Sequence, residues 1–109
     1  MNQRLYLGEL EELTLMMVAL LNDDAYGVTI VDVLKERADR DISISAVHAV
    51  LHRLEEKGFV KSKMSTGTSE RGGRSKRIFK ITTYGLNTLE NLRERRDKIW
   101  SLISKTSPS

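Results

Sequence analysis

Hydrophobic and polar residues alternate with the spacing of an α-helix between residues 42 and 60, ISISAVHAVLHRLEEKGFV. At about 100° per residue, one side of this helix collects the hydrophobic positions, which are Ile44, Val47, Val50, Leu51 and Leu54. The opposite side collects Ser45, His48, Ala49, His52 and Glu56. Ser43 can cap the start of the helix, and Gly58 can end it in a left-handed conformation. Small and hydrogen-bonding side chains on the exposed side suit a helix that lies against base edges in the DNA major groove, although an ordinary amphipathic surface helix explains this stretch alone equally well.

Two further helices are predicted before this one. Residues 7–21 form the first, because the glutamates near its start, Glu9, Glu11 and Glu12, suit the positive end of a helix dipole. Its predicted apolar face is Leu10, Leu13, Met17, Leu20 and Leu21, while Leu15, Met16 and Val18 lie off that face and suggest burial against another chain as well as its own domain. Asp23 or Asp24 can cap the second helix, whose predicted core stripe is Val28, Val31 and Leu34. Gly27 is expected to let another backbone approach closely.

After Gly58 the hydrophobic residues no longer recur with the helical period and instead alternate with polar residues at every second position. Phe59, Lys61 and Lys63 alternate with Val60, Ser62 and Met64, and residues 77–82 are rich in strand-forming side chains, so two strands are predicted. The polar segment between them, STGTSERGGRS, holds three glycines and is predicted to be a hairpin loop. A long loop that carries Arg71 and Arg74 between short antiparallel strands is a wing.

Helical spacing returns from Thr82, the predicted cap, to about residue 104. Four hydrophobic residues recur in steps of three and four, and we predict that they hold a homodimer together: Leu89, Leu92, Ile99 and Ile103. Gly85 and Arg96 fill the remaining positions of this seam, and Leu86, Trp100 and Leu102 flank it. A helix of this length extends about 33 Å, more than the preceding domain can cover, so its free apolar part needs a partner. We expect Arg96 to pair with Glu90, Glu94 or a carboxylate of the partner, or to point outward.

Length and composition favour a single soluble domain. The chain has 109 residues, of which 39% are hydrophobic, enough for one modest core. It has no cysteine, which fits a cytoplasmic location. The longest hydrophobic run, residues 13–21, is far short of the roughly 20 residues that cross a bilayer, and no basic leader precedes it. We therefore expect a cytoplasmic protein without a signal peptide or membrane anchor.

Charge is distributed unevenly along the chain. Residues 1–60 carry six Lys and Arg against eleven Asp and Glu, a net charge of −5. Residues 61–80 carry seven basic residues against Glu70 alone, a net charge of +6. Basic charge concentrated beside the predicted helix of residues 42–60 is typical of phosphate contact, and a solvated basic loop is the weaker explanation.

The predicted elements make a mostly α fold with a small β-wing: a winged helix-turn-helix over residues 1–82, then a C-terminal dimerisation helix and short polar tail over residues 83–109. With these elements in this order, the sequence resembles the PadR family of bacterial transcriptional repressors, in its short form with a single C-terminal helix. The resemblance is carried by LGELEELTLMMVALL, by Tyr26-Gly27, by LHRLEEKGFV and by GRSKRIFKITTYG. The last stretch is the most specific, because its Gly73, Arg74, Phe79, Thr82 and Gly85 match the family's wing-to-helix pattern.

This resemblance implies a homodimer that binds palindromic promoter DNA and releases it in response to a small molecule, often aromatic, or to a metabolic stress signal. The chain departs from the family at His48, where a tyrosine is usual. It also departs at Ile44, Ser45 and Ala46, where the family often has a Pro-Gly-Thr type run. The mode of DNA binding is therefore expected to carry over, while the operator sequence is not fixed by the resemblance.

Candidate DNA contacts come from the third helix and the wing. The residues predicted to contact double-stranded DNA are Ser43, Ser45, His48, Ala49, His52, Arg53, Arg71, Arg74, Lys76 and Arg77.

The spacing of His48, His52 and Glu56 could also hold a metal, but DNA contact or plain solvent exposure explains the same side chains, and we predict no metal and no cofactor. No phosphate loop or nucleophile motif is visible, so an enzyme is not expected. The main alternative is a winged helix that binds proteins without specific DNA binding, against which the basic wing argues.

Trp100, together with Met17, is the candidate for binding a small planar aromatic effector. Two indoles close to a two-fold axis can hold a planar compound between them. The alternative is that Trp100 packs against the first helix of the partner, which is the more common role of a lone tryptophan at helical spacing.

Overall fold

The computed structural model describes residues 6–65, 76–103 and 105–109. Three helices come first, α1 (Glu9–Leu21), α2 (Gly27–Ala38) and α3 (Ile44–Glu56), with a short 3₁₀ turn (Asn22–Asp24) between the first two. Strands β1 (Val60–Met64) and β2 (Arg77–Ile81) follow, and the last element is the long helix α4 (Thr83–Ile103). This confirms the predicted winged-helix architecture. Arg71 and Arg74 of the predicted wing loop lie outside the described residues, and in the described ranges no helix is both long and apolar enough to cross a bilayer.

The two strands are antiparallel, with Val60 opposite Ile81 and Ser62 opposite Phe79. On its other edge, β2 receives the segment just before α2: the Phe79 N–H donates to the Ala25 carbonyl oxygen at 2.9 Å. Because strand side chains alternate between faces, Phe79 points into the core while its neighbours lie on the outer face. The sheet thereby joins the wing to the start of α2.

The hydrophobic core lies between the first three helices and the sheet. From α1 it takes Leu15, Met17 and Val18, with Thr14 also buried. The predicted apolar face of this helix is confirmed only in part. Met17 is buried and Leu10, Leu13 and Leu21 pack half-buried against the core, but Leu20 is 60% exposed, and Leu15 and Val18, which were placed off that face, are fully buried. The cause is that α1 carries hydrophobic residues on all sides, so its own sequence does not show which side meets α2 and α3.

The second helix also departs from the prediction. Its buried residues are Gly27, Ile30 and Leu34, whereas the predicted core residue Val28 is 61% exposed. Asp23 and Asp24 lie in the 3₁₀ turn, and the N-cap of α2 is Tyr26, whose N–H donates to the Thr29 hydroxyl at 2.9 Å. Leu34 is buried as predicted and Val31 packs half-buried against the core, so the prediction fails at Val28, in the first turn of the helix.

Helix α4 meets the domain at a tight junction. The Thr82 hydroxyl accepts a hydrogen bond from the Gly85 N–H at 3.0 Å, as expected of a cap, and donates to the Gly58 carbonyl oxygen at 2.8 Å. A Cβ atom at Gly85 would overlap the Phe59 carbonyl oxygen, so only glycine permits this approach. The Tyr84 ring stacks on the Phe59 ring, with centroids 5.0 Å apart. The base of α4 is therefore anchored to the start of the wing.

Candidate nucleic-acid interface

Helix α3 has the two faces that its sequence predicts. Val47, Val50, Leu51 and Leu54 are buried; the fifth predicted core residue, Ile44, is 41% exposed because it stands in the first turn, at the edge of the core. The opposite face is exposed and consists of Ser45, His48, Ala49, His52 and Glu56. Ser43 caps the helix, since its hydroxyl accepts from the Ala46 N–H at 3.1 Å, and Gly58 has the expected positive φ of 84°. The exposed face is thus held rigidly by a capped and well-packed helix.

His48 lies directly against the start of α2. A Cβ atom built on Gly27 would be 2.8 Å from His48 Nε2 and 2.9 Å from its Cε1. The prediction that Gly27 admits another backbone was wrong: the atoms that approach it belong to the side chains of His48 and Ile44. The contact places the imidazole at the junction of α2 and α3, with its position set by the absence of a side chain at residue 27.

The wing reaches the same junction through Lys76. Its Nζ lies 5.6 Å from the centroid of the Tyr26 ring, within the range of a cation–π contact. Tyr26 immediately precedes Gly27, and it also forms a β-bridge with Ile78. His48, the start of α2 and Lys76 therefore form one continuous surface.

A second set of contacts ties the wing to α3. Arg77 Nη1 donates to the Ser62 hydroxyl at 2.9 Å, and this hydroxyl donates to Glu55 Oε2 at 2.8 Å. Arg77 remains exposed, so its guanidinium is oriented by the network and still open to solvent. The chain of bonds fixes the angle between the wing and α3.

Arg53 occupies a different place from the other predicted contacts. Its Nε donates to Glu11 Oε2 of α1 at 3.2 Å, and half of its side chain is exposed. Lys57 Nζ lies 3.0 Å from both oxygens of the same carboxylate, and the Gly8 N–H donates to Glu11 Oε1 at 2.9 Å. Part of the Arg53 guanidinium is thus used inside the protein, and its contact with DNA stays a prediction.

Glu11 is nearly buried, with 9% of its side chain exposed. Burial by itself raises the pKa of this carboxyl, but the hydrogen bonds just described outweigh it and hold the pKa below the usual value of 4.5. The charged form is therefore the one that the folded protein stabilises.

Three of the seven basic residues counted between residues 61 and 80 were not named as DNA contacts, and they lie together on the outer face of the wing. Lys61 and Lys80 stand opposite each other in the strand register, and Lys63 follows on the same face. They line an open groove of about 590 Å³ beside the 3₁₀ turn, where Lys80 Nζ lies 3.6 Å from Asp23 Oδ1. The alternation of β1 and β2 could have grouped these lysines, but only if the strand register had been known.

His52 makes a local contact instead of joining a metal cluster. Its Nε2 lies 3.5 Å from Glu56 Oε2, one turn along the same helix. In the described part of the chain, no group of three or more metal-binding side chains comes together.

The predicted dimer and effector residues are distributed along α4 and α1. Leu89 and Leu92 are half-buried, while Ile99 and Ile103 are 53% and 48% exposed and Trp100 is 67% exposed. Met17 packs in the core and is 7% exposed, so it offers little surface to a ligand. Arg96 pairs with Glu12 of α1, which was not among its expected partners.

A capped helix with an exposed polar face, a basic wing beside it and a projecting helical arm define a winged helix-turn-helix DNA-binding protein. The model of the transcriptional regulator PadR-like family matches residues 16–91, and the chain belongs to this family. It is accordingly a DNA-binding transcriptional regulator and not an enzyme. No protein of curated function matches the chain.

Solved structures share the fold over most of the chain. A PadR family transcription regulator from Clostridium difficile R20291 is 24% identical with a TM-score of 0.73, and the match covers 90% of this chain and 97% of that one. A PadR-like transcription factor from Bacteroides fragilis is 19% identical with a TM-score of 0.74, covering 90% and 89%. A PadR-like transcriptional regulator from Bacillus cereus is 17% identical with a TM-score of 0.69, covering 88% of each chain. At these identities the comparison with the solved structures establishes the fold alone.

Replacing Glu11 by Gln should lower the free energy of unfolding at pH 7 by roughly 2 kcal/mol, because Arg53 and Lys57 lose the charge that they surround. A carboxyl whose folded pKa is depressed stabilises the protein above its unfolded pKa, and this contribution is lost as the pH falls through the folded pKa. Urea unfolding of the two proteins should therefore converge as the pH is lowered from 7 to about 3. Glu36→Gln, at an exposed position on α2, is the control, and a difference that stays constant over this pH range would contradict the assignment.

Proposed function

We propose that the protein is a homodimeric repressor that binds a two-fold symmetric DNA site, with α3 in the major groove and the wing on the phosphate backbone. Residues 1–82 form the DNA-binding unit, and residues 83–109 supply the dimerisation arm. The observation that carries this proposal is the continuous surface of α3, the start of α2 and Lys76. His48, which can contact base edges, lies against Gly27. Lys76, a cation that can contact phosphates, lies over the ring of the preceding residue, Tyr26.

The two parts of this surface have different tasks. On α3, Ser45, His48, Ala49 and His52 are exposed, and side chains of this kind can hydrogen-bond or closely approach base edges. On the wing, Lys76 and Arg77 are exposed cations oriented by Tyr26 and Ser62, and Arg71 and Arg74 add to the charge of the loop. Specificity is assigned to α3 and sequence-independent affinity to the wing.

Replacing Lys76 by Ala should weaken binding to all duplexes alike and reduce the slope of log affinity against log salt by about one unit. Replacing His48 by Ala should instead change which base is preferred, at a cost of about 1–3 kcal/mol for a good base contact. Gel shifts with the upstream DNA of the gene, repeated across a salt series, measure both effects. Lys35→Ala, at an exposed position near the opposite end of α2, is the matched control for Lys76.

Binding that does not depend on salt would rule out this function and favour the protein-interaction alternative. The sign of regulation is tested on the same DNA. A dimer that covers a promoter excludes the polymerase, so transcription in vitro should decrease when the protein is added. More transcript would identify an activator.

The homodimer is supported by hydrophobic surface that one protomer leaves uncovered. Ile99, Ile103 and Leu102 on α4 and Leu20 on α1 are each about half exposed or more. A monomeric soluble protein seldom exposes so many large apolar side chains on one helix and its neighbour. Closing two such surfaces on each other around a two-fold axis would bury them.

Replacing Ile99 by Glu should convert the dimer to a monomer, because it would place a charge on each side of a self-complementary interface. Light scattering at micromolar concentration measures the mass directly. Asn91→Glu is the matched control, since residue 91 is exposed and lies on the far side of α4 from the seam. A wild-type protein with the mass of a single chain would contradict the proposed dimer.

We further propose that the dimer responds to a planar aromatic effector at Trp100. The support is the exposure of this side chain, 67% in the single chain, beside the seam residue Ile99. The competing role is packing against α1 of the partner, where Leu20 and Met16 offer exposed hydrophobic surface.

If Trp100 borders an effector cavity, planar aromatic compounds at micromolar concentration should quench its fluorescence and weaken operator binding in parallel, by thermodynamic linkage. Since Trp100 is the single tryptophan, its emission reports on this position alone. Unchanged emission with a broad set of such compounds, combined with loss of the dimer in Trp100→Ala, would make it an interface residue only.

A further inference from the structure

The first half of the arm α4 is fastened to the rest of the chain, and Leu89 within it packs against the hydrophobic core. Two contacts mark the ends of this fastened part. The first is its base, where Gly85 touches the Phe59 backbone and Tyr84 stacks on the Phe59 ring. The second is Arg96, whose Nη2 donates to Glu12 Oε1 at 2.8 Å while Nη1 contacts the other carboxylate oxygen. The 11 residues from 85 to 96 correspond to about 16 Å of helix. A rod held at two points this far apart cannot swing about its base as a rod held at one end can.

The pair of Arg96 and Glu12 is suited to fixing direction. Two parallel hydrogen bonds between a guanidinium and a carboxylate define the angle of approach as well as the distance. The Glu12 side chain is 12% exposed and so has little room to move, whereas that of Arg96 is 62% exposed. Ion pairs this open to solvent contribute little to stability. The contact therefore biases the angle of the arm and adds little to the free energy of unfolding.

Residue 96 is an arginine at a position where the dimer seam predicts a hydrophobic residue. The seam positions after Gly85, apart from residue 96, are hydrophobic, and a leucine at 96 would add apolar surface to the interface. The arginine instead turns back to α1 of its own protomer. Beyond it, the described apolar residues of α4 are about half exposed or more.

The constraint continues from α1 to the helix that faces DNA. Glu11, next to Glu12 in sequence, holds Arg53 and Lys57 at the C-terminal end of α3. Glu9, one turn earlier, pairs with Arg40 just before α3, with 2.7 Å between Oε1 and Nη1. One short stretch of α1 thus contacts the loop between α2 and α3, the C-terminal end of α3 and the middle of the arm.

We propose that the ion pair of Arg96 and Glu12 sets the separation of the two DNA half-sites. In a two-fold dimer joined through the outer part of α4, the distance and angle between the two α3 helices depend on the angle of each arm to its own domain. Half-sites read by such a dimer must match that distance, usually about one helical turn of DNA. Arg96 is then a positioning residue, which selects among operators without touching DNA. This inference rests on the proposed dimeric DNA-binding function.

The test compares operators that differ only in spacing. A duplex bound by the wild-type protein is selected from random-sequence DNA, and versions with one or two base pairs added or removed between the half-sites are prepared. For the wild-type protein, we expect the native spacing to be preferred over its neighbours by about tenfold. For Arg96→Gln this preference should fall below about threefold, through weaker binding at the native spacing and stronger relative binding at the others.

Controls separate positioning from folding and from charge. Arg93→Gln removes the same charge from α4, but Arg93 pairs with Asp97 in its own helix, so the wild-type preference should remain. Glu12→Gln should reproduce the effect of Arg96→Gln, and the double variant should add nothing to either single change, because both remove one interaction. Light scattering and thermal unfolding establish that the variants stay dimeric and folded.

Two results would overturn the inference. One is an unchanged spacing preference in folded, dimeric Arg96→Gln. The other is an equal loss of affinity at all spacings, which would limit the pair to general support of the fold. A wild-type protein that selects no DNA at all would instead remove the proposed function, and that outcome is seen before any variant is made.

Discussion

One buried carboxylate, that of Glu11, joins the first helix to the helix that presents the DNA-facing side chains. Taking a charge out of water costs several kcal/mol unless it is fully hydrogen-bonded, and here a backbone N–H, a guanidinium and an ammonium supply the bonds. The hydrophobic face of α3 gives it a place in the core but would tolerate small rotations about its axis. The carboxylate removes that freedom, because it binds Arg53 of α3 through Oε2 and Lys57, the C-cap about one turn later, through both oxygens. The direction of the exposed face follows from this constraint.

Features that depend on a few neighbouring residues could be predicted from the sequence. The Ser43 cap, the left-handed Gly58 and the Thr82 cap are all local, and all are present. The pattern of α3 could also be resolved because polar and hydrophobic residues are cleanly separated on it. Helix α1 offers no such separation, so both of its faces fit the same sequence and the choice is made by α2 and α3. In α2 the error had a similar origin, since Val28, Ile30, Val31 and Val33 make several stripes possible and packing against α1 and α3 decides among them.

In the candidate site too, features set by neighbouring residues could be predicted from the sequence, whereas contacts between residues far apart in the chain could not. Exposure of Ser45, His48, Ala49 and His52 follows from helical periodicity alone. The pairing of Arg53 with Glu11 and of Arg96 with Glu12 joins residues 42 and 84 positions apart, and no local pattern indicates either. A basic residue on the rim of a predicted surface therefore carries less information than a small or polar one at its centre, because long cationic side chains find carboxylates elsewhere in the fold.

The close contact between Gly27 and His48 links two positions that would otherwise vary independently. A methyl group at residue 27 needs the space that the imidazole now fills, so alanine there requires a smaller or differently oriented side chain at residue 48. Because residue 48 lies on the exposed face of α3, the residue at position 27 of α2 influences which side chains this surface can carry and how they are oriented, although α2 itself need not touch DNA.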